Sequence, residues 1–397
     1  MSDKGQRMIY LDHAATTAVD PRVVEAMLPY WTTQYGNASS IYRLGRQSRQ
    51  AMEQARRDVA DILGAQPEEI VFTGCGSESD NLALRGTAWA SRQKGNHIIT
   101  TPIEHHAISH TLLQLADHFG YEITCVPVDQ YGVVNPDDVG RAITDKTVLV
   151  TIMYANNEVG TIEPIAEIAK IARAKGVPFH TDAVQAGGSL DLNVERLGVD
   201  LLSLSAHKFY GPKGVGVLYV RRSTPLLPTN TGGGQEMGLR AGTENVAYMV
   251  GLATALKLAY AHLEENNRRI ALLRDQLIRG VLSSVQYAHL TGHSTQRLPN
   301  NASFVFDYIE GESILLGLDA QGVAASSGSA CSTGEAEPSH VLTAMGIPPR
   351  RAYGSLRLSL GNENTAQDVQ DVVAMLPGIV HKLQQMSPLC PGATALA

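Results

Sequence analysis

Short apolar runs alternate with helical stretches through the middle of the chain. The runs predict strands at 70–73, 97–101, 122–128, 147–153, 177–181, 200–204 and 215–220. The stretches between them predict helices at 78–92, 106–119 and 164–174. The run 147–153 is almost continuously apolar, as in a strand of a sheet that is covered on both faces. Repeated strand–helix units predict an α/β fold with a mostly parallel sheet between layers of helices.

After about Asn245 the pattern changes. The later elements are a long helical stretch, two strands and a final helix, predicted at 245–281, 302–306, 355–360 and 365–384. We therefore expect a large domain over residues 15–261. Residues 1–14 and 262–397 are expected to form a smaller α+β domain.

Length and composition narrow the class of protein. The chain has 397 residues, of which 44% are hydrophobic, enough for two domains with substantial cores. The net charge is −7 and the basic residues are scattered, so we expect no nucleic-acid partner. Pro, Gly or a charge interrupts every apolar run before it reaches the length of a membrane span, and the first residues lack an apolar signal segment. A cytoplasmic protein without a membrane partner is the expectation.

Cysteine and histidine spacing gives no sign of a metal site. The four cysteines are widely spaced, at Cys75, Cys125, Cys331 and Cys390. This spacing fits neither a disulfide framework nor a zinc site. The adjacent His105 and His106 have no third ligand nearby, so we expect no metal. Cys125 lies within the predicted strand 122–128, where we expect a small buried side chain.

Lys208 is the first candidate for catalysis. It ends the segment 205–208 (SAHK), and the segment 182–185 (DAVQ) lies upstream; each follows a predicted strand. In open α/β sheets, ligands bind beyond the carboxyl ends of the strands. An amine that can form a Schiff base and a carboxylate that can pair with a pyridine nitrogen suit pyridoxal 5'-phosphate. An isolated lysine would be an ordinary surface residue, but these neighbours favour the cofactor site.

Other strand ends carry side chains that suit the same cofactor. The segment 73–77 (TGCGS) joins a strand to a helix, and the N–H groups of that helix start can bind a phosphate. On its own this segment would favour a plain turn with a serine cap over a phosphate site. The ring of His105 can stack on a flat cofactor. An amide of the segment 156–158 (NNE), or that of Gln185, can hydrogen-bond the cofactor's phenolic oxygen.

Four segments carry a resemblance to a known family. They are spread over nearly the whole chain, at 10–17 (YLDHAATT), 326–331 (SSGSAC), 337–342 (EPSHVL) and 356–361 (LRLSLG). With the segment around Lys208, they resemble the cysteine desulfurases of the NifS/IscS type. These are pyridoxal-phosphate enzymes of fold type I, which implies a seven-stranded, mostly parallel sheet in the large domain.

The resemblance also implies roles for individual residues. Lys208 would carry the cofactor and move the substrate's α-proton, Asp182 would hold the pyridinium, and His105 would stack on the ring. Phosphate contacts are implied for Gly76, Ser77, Ser205 and His207. Thr243 would reach the phosphate bound in the other subunit, which implies a homodimer with shared sites. Arg357 and Asn157 would bind the substrate, and Asn157 and Gln185 would face the phenolic oxygen.

Cys331 and Arg357 also stand out by their local sequence. Small and polar residues surround Cys331, which predicts an exposed loop at about 324–336. A free thiol has a pKa near ~8.5, so a nearby base such as His105 must raise the thiolate fraction. Arg357 lies between Leu356 and Leu358, which favours a buried guanidinium that binds a carboxylate as a planar fork.

These observations predict a cysteine desulfurase, a sulfurtransferase that converts L-cysteine to L-alanine. The sulfur would pass to Cys331 as a persulfide and then to an acceptor, such as an iron–sulfur scaffold or a thiolation protein. Three alternatives remain open. The chain could be a selenocysteine lyase, an aminotransferase that needs no loop thiol, or a sulfur-assembly scaffold that keeps the fold without the reaction.

Overall fold

The structure, a computed structural model, describes residues 7–328 and 337–391. Twelve strands lie within these residues: β1 (Ile9–Tyr10), β2 (Ile70–Thr73), β3 (His97–Thr100), β4 (Glu122–Cys125), β5 (Thr147–Thr151), β6 (Phe179–Asp182), β7 (Leu201–Ser205), β8 (Gly216–Val220), β9 (Ala288–Leu290), β10 (Asn301–Phe306), β11 (Val323–Ala324) and β12 (Ser355–Ser359).

Fourteen α-helices lie within the same residues: α1 (Pro21–Met27), α2 (Pro29–Thr32), α3 (Arg43–Leu63), α4 (Gly76–Ala90), α5 (His106–Phe119), α6 (Pro136–Ala142), α7 (Ile165–Ala174), α8 (Val194–Leu197), α9 (Val246–Ala261), α10 (Leu263–Ser284), α11 (Gly311–Asp319), α12 (His340–Ala344), α13 (Pro349–Ala352) and α14 (Ala366–Met386).

In the described chain, seven strands form one large sheet in the order β2-β8-β7-β6-β5-β3-β4. The strands from β7 to β4 pair in parallel, and β8 runs antiparallel to both β7 and β2. Every residue of β5, β6 and β7 is buried, as expected for strands covered by helices on both faces. The predicted α/β fold with a mostly parallel sheet is confirmed.

The strand that precedes Asp182 lies slightly later than the sequence pattern suggests. Hydrogen-bonded pairing of β6 with β5 begins at Phe179, whereas the apolar run predicts a strand at 177–181. The difference places Asp182 inside the sheet as the last residue of β6. Its backbone is therefore fixed by the ladder with β7, where it pairs with Ser203.

The expectation that Cys125 is buried is wrong. Cys125 is exposed, and the strand that contains it ends there instead of continuing to residue 128. The reason is the place of β4 at the edge of the sheet, where β3 pairs with it on one side. A run of strand-forming residues does not reveal whether its strand lies in the centre of a sheet or at its edge.

The long helical stretch predicted at 245–281 is two helices. They bend by 73° at a break occupied by His262, whose φ of −132° is not helical. The break separates a buried, apolar helix, α9, from α10, which buries one stripe that includes Leu273 and Leu277. Among the described residues no single helix is long and apolar enough to span a membrane, although this bent pair meets that test by length and composition alone.

A second, three-stranded antiparallel sheet has the order β12-β10-β9. Its apolar cluster joins residues from both ends of the chain, since Ile9 and Leu11 pack with Leu277, Phe304 and Val372. The strand β1 pairs in parallel with β11 and so ties the N-terminal arm to this region. The division into domains at residues 261 and 262 stays a prediction.

A buried ion pair fixes α3 to the edge of the large sheet. Arg56 donates two hydrogen bonds of 2.8 Å to the carboxylate of Glu236, and the backbone N–H of Phe72 donates to the same carboxylate at 2.7 Å. Both charged side chains are almost fully buried. Removing one partner leaves the other as an unpaired buried charge, which is strongly destabilising.

We therefore expect Arg56→Met to lower the free energy of unfolding by about 3–5 kcal/mol. Urea denaturation followed by fluorescence would measure the loss. Lys257→Met is the matched control, because Lys257 pairs with Asp58 from a position that is 57% exposed and that pair should contribute about 0–1 kcal/mol. Equal stability of the two variants would contradict the assigned role of the buried pair.

Candidate active site

A cavity of about 330 Å³ opens beyond the carboxyl ends of the parallel strands. Asp182 ends β6, Ser205 ends β7, and the first residues of α4 follow β2. Most of the predicted site residues line this cavity, namely Gly76, Ser77, His105, Asn157, Asp182, Gln185, Ser205, His207, Lys208 and Arg357. The sheet topology thus brings together side chains that are far apart in the sequence.

Lys208 lies in a short 3₁₀ turn directly after β7. Its Nζ donates hydrogen bonds to the carbonyl oxygens of Ala14 at 2.6 Å and Ala15 at 2.8 Å, so the N-terminal arm holds the amine. Burial, reinforced by the charge of Arg357, lowers the pKa of Lys208 to about 8, although Asp182 opposes the shift. At physiological pH the neutral fraction of the Lys208 amine is therefore much larger than that of an ordinary lysine.

Asp182 faces Lys208 and His105 from the end of β6. The backbone N–H of Val184 donates to Oδ1 of Asp182 at 2.9 Å and fixes the carboxylate. Burial raises the pKa of Asp182, and the neighbouring His105 and Lys208 act in the opposite direction. A cationic group bound against this carboxylate would favour its ionised form.

Asp80 is a second buried carboxylate in the cavity wall, and sequence reasoning did not select it. Burial and the nearby Asp182 raise its pKa well above the usual value for an aspartate. His180, 3.7 Å away, does not offset this, because burial lowers the pKa of His180 to about 3 and keeps the ring neutral. The one available signal was spacing, since Asp80 lies one helical turn after Gly76 on α4.

His105 is placed at the N-cap of α5, where its Nδ1 accepts a hydrogen bond of 3.1 Å from the backbone N–H of Ala107. The proton of the neutral ring is therefore on Nε2. Desolvation by the surrounding protein lowers the pKa of His105, which favours this neutral form. The described residues hold no group of three metal-ligating side chains that could bind an ion, and the neighbouring His106 packs instead on His340, 5.0 Å away.

The part of the cavity beside the start of α4 can bind a phosphate. Gly76 begins α4, and a Cβ at this position would lie only 2.8 Å from Cγ2 of Val184 and 3.2 Å from Cβ of Ser205. The absence of a side chain leaves the cavity open beside the unpaired N–H groups of the helix start. His207 lies nearby, and burial lowers its pKa to about 4, so its ring is neutral. Thr243 is exposed and does not line this cavity.

Arg357 closes the rim from β12. Its Nη1 donates to the carbonyl oxygen of Asn157 at 3.0 Å, and its Nη2 donates to Oδ1 of Asp12 at 2.9 Å. The guanidinium is buried, as the flanking leucines predicted. Asp12 is a site residue that sequence reasoning missed, although it belongs to the segment 10–17 that carries the resemblance.

Cys331 lies outside the described residues, as does the rest of 329–336, so its predicted role stays a prediction. Gln185 lines the cavity, and its Nε2 donates to the carbonyl oxygen of Ala14 at 3.0 Å. Together the described side chains could hold a flat, anionic cofactor. Asp182 would face a ring nitrogen, His105 a ring face, Lys208 a carbonyl carbon and the α4 start a phosphate. The residues present therefore fit pyridoxal phosphate.

Comparisons with known proteins agree with this geometry. Residues 9–372 match the model of the family "Aminotransferase class-V", whose cysteine desulfurase members are pyridoxal-phosphate enzymes. A cysteine desulfurase IscS of Methanosarcina thermophila is 54% identical over 97% of this chain and 95% of its own. A cysteine desulfurase IscS of Dictyoglomus turgidum is 49% identical over 96% of this chain and 97% of its own.

Solved structures of related proteins also match this chain over nearly its whole length. A NifS-like protein superposes with a TM-score of 0.89 at 39% identity, over 95% of this chain and all of that one. The structure of SspA in complex with cysteine has a TM-score of 0.79 at 35% identity, over 89% of this chain and 98% of that one. With near-complete coverage of both chains in sequence and in structure, the protein belongs to the class-V aminotransferase family and, within it, to the cysteine desulfurases.

Proposed function

We propose that this chain binds pyridoxal phosphate and converts L-cysteine to L-alanine, with the sulfur transferred to Cys331. The observation that carries the proposal is the arrangement of Lys208, Asp182 and His105 around one cavity, with Arg357 at its rim. A relative at 35% identity has been solved in complex with cysteine, which supports the same substrate here.

The cofactor, when bound, supplies an electrophilic carbon for the substrate amine and a ring that accepts electrons from the substrate's α-carbon. Lys208 would provide the amine that anchors it and would also accept the α-proton of the substrate. Asp182 would keep a negative charge against the ring nitrogen. His105 would cover the ring and limit the access of water. The lowered pKa of Lys208 suits it to accept a proton near neutral pH.

Arg357 and Asn157 position the substrate. The guanidinium binds the α-carboxylate through charge-assisted hydrogen bonds, which are stronger than those between neutral groups. Because Arg357 and Lys208 line the same cavity, the carboxylate and the α-amine of one small amino acid can contact both. Binding of this kind would hold the α-amine of the substrate beside Lys208.

Cys331 would take the sulfur in a step that requires no external oxidant. Its thiolate attacks the substrate sulfur while the Cβ–S bond breaks, and the electron pair of that bond goes to Cβ. The proton lost by the Cys331 thiol is added at Cβ and Lys208 returns the α-proton, which completes alanine, and Cys331 keeps the sulfur as a persulfide. His105 lines the cavity in which these transfers would take place. An iron–sulfur scaffold or another acceptor protein would then collect the sulfur.

A homodimer is part of the proposal. Exposed apolar side chains are concentrated between the first helix and the start of α3, at Val24, Leu28, Trp31, Tyr35, Ile41 and Tyr42. A surface of this kind is typical of a protein–protein interface. Thr243 does not line the cavity of its own chain, which supports a contact with the phosphate in a partner. The cytoplasmic location stays a prediction.

The direct test is to record the absorption spectrum of the purified protein and then add L-cysteine. We expect a band of a covalently bound cofactor, followed by equal amounts of alanine and released sulfide when a reducing thiol is present. The keto acid of cysteine, 3-mercaptopyruvate, in place of alanine would instead favour an aminotransferase. Turnover of selenocysteine without turnover of cysteine would favour the lyase. A protein without the cofactor band would contradict catalysis altogether.

The pKa of Lys208 makes cofactor attachment pH-dependent. The neutral amine is the reactive form, so in the apoprotein the attachment rate should rise with pH, with a midpoint near 8, where an ordinary lysine would require about 10.4. Rapid-mixing absorbance over a pH series would measure the midpoint. Arg357→Gln removes a positive charge that lowers this pKa, so its midpoint should move upward. A midpoint near 10 in the unaltered protein would contradict the assignment.

A further inference from the structure

We propose that Asp12 is a positioning residue for substrate recognition. It holds the guanidinium of Arg357 in the orientation that receives an α-carboxylate, and so makes the site prefer amino acids to simple amines. The inference rests on the proposed role of Arg357 as the carboxylate-binding group. Neither the sequence pattern nor the family resemblance assigned a role to Asp12.

Asp12 is held in place by the backbone around Arg357 and by Arg357 itself. One carboxylate oxygen accepts from Nη2 of Arg357 at 2.9 Å, and the other accepts from the hydroxyl of Ser326 at 2.8 Å. Ser326 and Arg357 are joined to each other by two backbone hydrogen bonds, of 3.2 Å and 2.7 Å. Asp12 itself forms a parallel bridge with Ser359, two residues beyond Arg357. The carboxylate therefore has little freedom to move away from the guanidinium.

The guanidinium has donors left for a ligand. Of its five N–H groups, two have acceptors among the described residues, one on Asp12 and one on the carbonyl of Asn157. Nε is buried and has no hydrogen-bond partner in the described part of the chain. A buried donor without an acceptor is unfavourable, and a carboxylate is the acceptor that a guanidinium binds best. Asp12 fixes one side of the group and leaves the second N–H of Nη1 and of Nη2 for a ligand.

The same stretch of backbone also holds the reactive amine. Ala14 and Ala15, two and three residues after Asp12, accept the hydrogen bonds of Lys208 through their carbonyl oxygens. The N-terminal arm thus contacts both Arg357, through a side chain, and Lys208, through its backbone. It fixes the separation between a carboxylate-binding group and an amine-reactive group. An α-amino acid carries these two functions at a fixed separation, and a simple amine does not.

The test compares two ligands that differ by the carboxylate alone, L-alanine and ethylamine. Holoenzyme is titrated with each while the absorbance of the bound cofactor reports binding. We expect Asp12→Ala to weaken binding of L-alanine at least about tenfold, the scale of one charge-assisted hydrogen bond. Ethylamine binding should stay within about twofold, because no step of its binding uses Arg357. Asp12→Asn keeps an oxygen that accepts from Nη2, and should bind L-alanine nearly as well as the unaltered protein.

Asp58→Ala serves as the control, because Asp58 is part of a surface ion pair with Lys257 and should change neither affinity. Equal losses for L-alanine and ethylamine in Asp12→Ala would overturn the proposal, since they would indicate general damage to the site. Unchanged binding of L-alanine would overturn it as well. The titrations need no turnover. A protein that released no alanine from cysteine would refute the desulfurase function, and the comparison between Asp12→Ala and the unaltered protein would still test the present proposal.

Discussion

Lys208→Ala should abolish the covalent link between protein and cofactor and reduce the rate of alanine formation by at least about 10⁴-fold. The variant loses both the amine that anchors the cofactor and the base that removes the α-proton, and a positioned general base alone contributes roughly 10²–10⁴-fold. Borohydride reduction followed by mass spectrometry would detect the link as a permanent mass increase on the peptide that contains Lys208.

Two further variants make the result specific. Lys257→Ala removes an exposed lysine on α9 and should keep both the reducible link and the full rate. Lys208→Arg keeps a positive charge but cannot supply a neutral amine, because arginine stays protonated. Lys208→Arg should therefore lose the covalent link and the rate of alanine formation as completely as Lys208→Ala. A borohydride-stable mass increase in Lys208→Ala, at any other lysine, would assign the anchoring role elsewhere.

Cys331→Ala should keep the cofactor band and lose transfer of sulfur to acceptors by at least about 10³-fold. A thiol held beside the substrate acts at an effective concentration far above that of any thiol in solution, and the variant loses this advantage. The measurement is the transfer of sulfur from L-cysteine to an acceptor protein, with the cofactor absorbance recorded in parallel.

The other cysteines provide the comparison. Cys125→Ala is the matched control, since Cys125 is an exposed thiol on the edge strand β4, and its loss should leave transfer unchanged. Alkylation of the unaltered protein should block transfer, and prior addition of L-cysteine should convert the Cys331 thiol to a persulfide that mass spectrometry detects. Unimpaired delivery of sulfur by Cys331→Ala would remove this residue from the mechanism.

Local sequence was sufficient to predict the seven strands of the large sheet, to within a few residues, and the distinctive residues near their ends. Asp182 and Lys208 were identifiable because a short apolar run specifies a buried strand, and a chemically distinctive residue follows each run. In a parallel sheet the ends of such strands meet at one edge. The cavity that the structure forms from these residues was therefore predictable without knowing the order of the strands.

Features that depend on how distant segments meet were not predictable. The contact between Asp12 and Arg357 joins the segment that follows β1 to β12, and no local pattern relates the two. The exposure of Cys125 depends on which strand lies at the edge of the sheet, and strand order is a property of the whole fold. The break at His262 depends on a change from a largely apolar helix to one that buries a single stripe, which a continuous helical pattern conceals.

The N-terminal arm has a consequence for biosynthesis. Asp12 and its partner Arg357 are separated by 345 residues, so the arm leaves the ribosome long before the strand that fixes it. At typical rates of synthesis the delay is roughly 20–70 s. During that interval the segments with Asp182 and Lys208 can already fold, while Ala14 and Ala15 still lack the sheet that anchors their arm. The segments that carry Asp182 and Lys208 are thus synthesised well before the residues that anchor the wall contributed by Ala14 and Ala15.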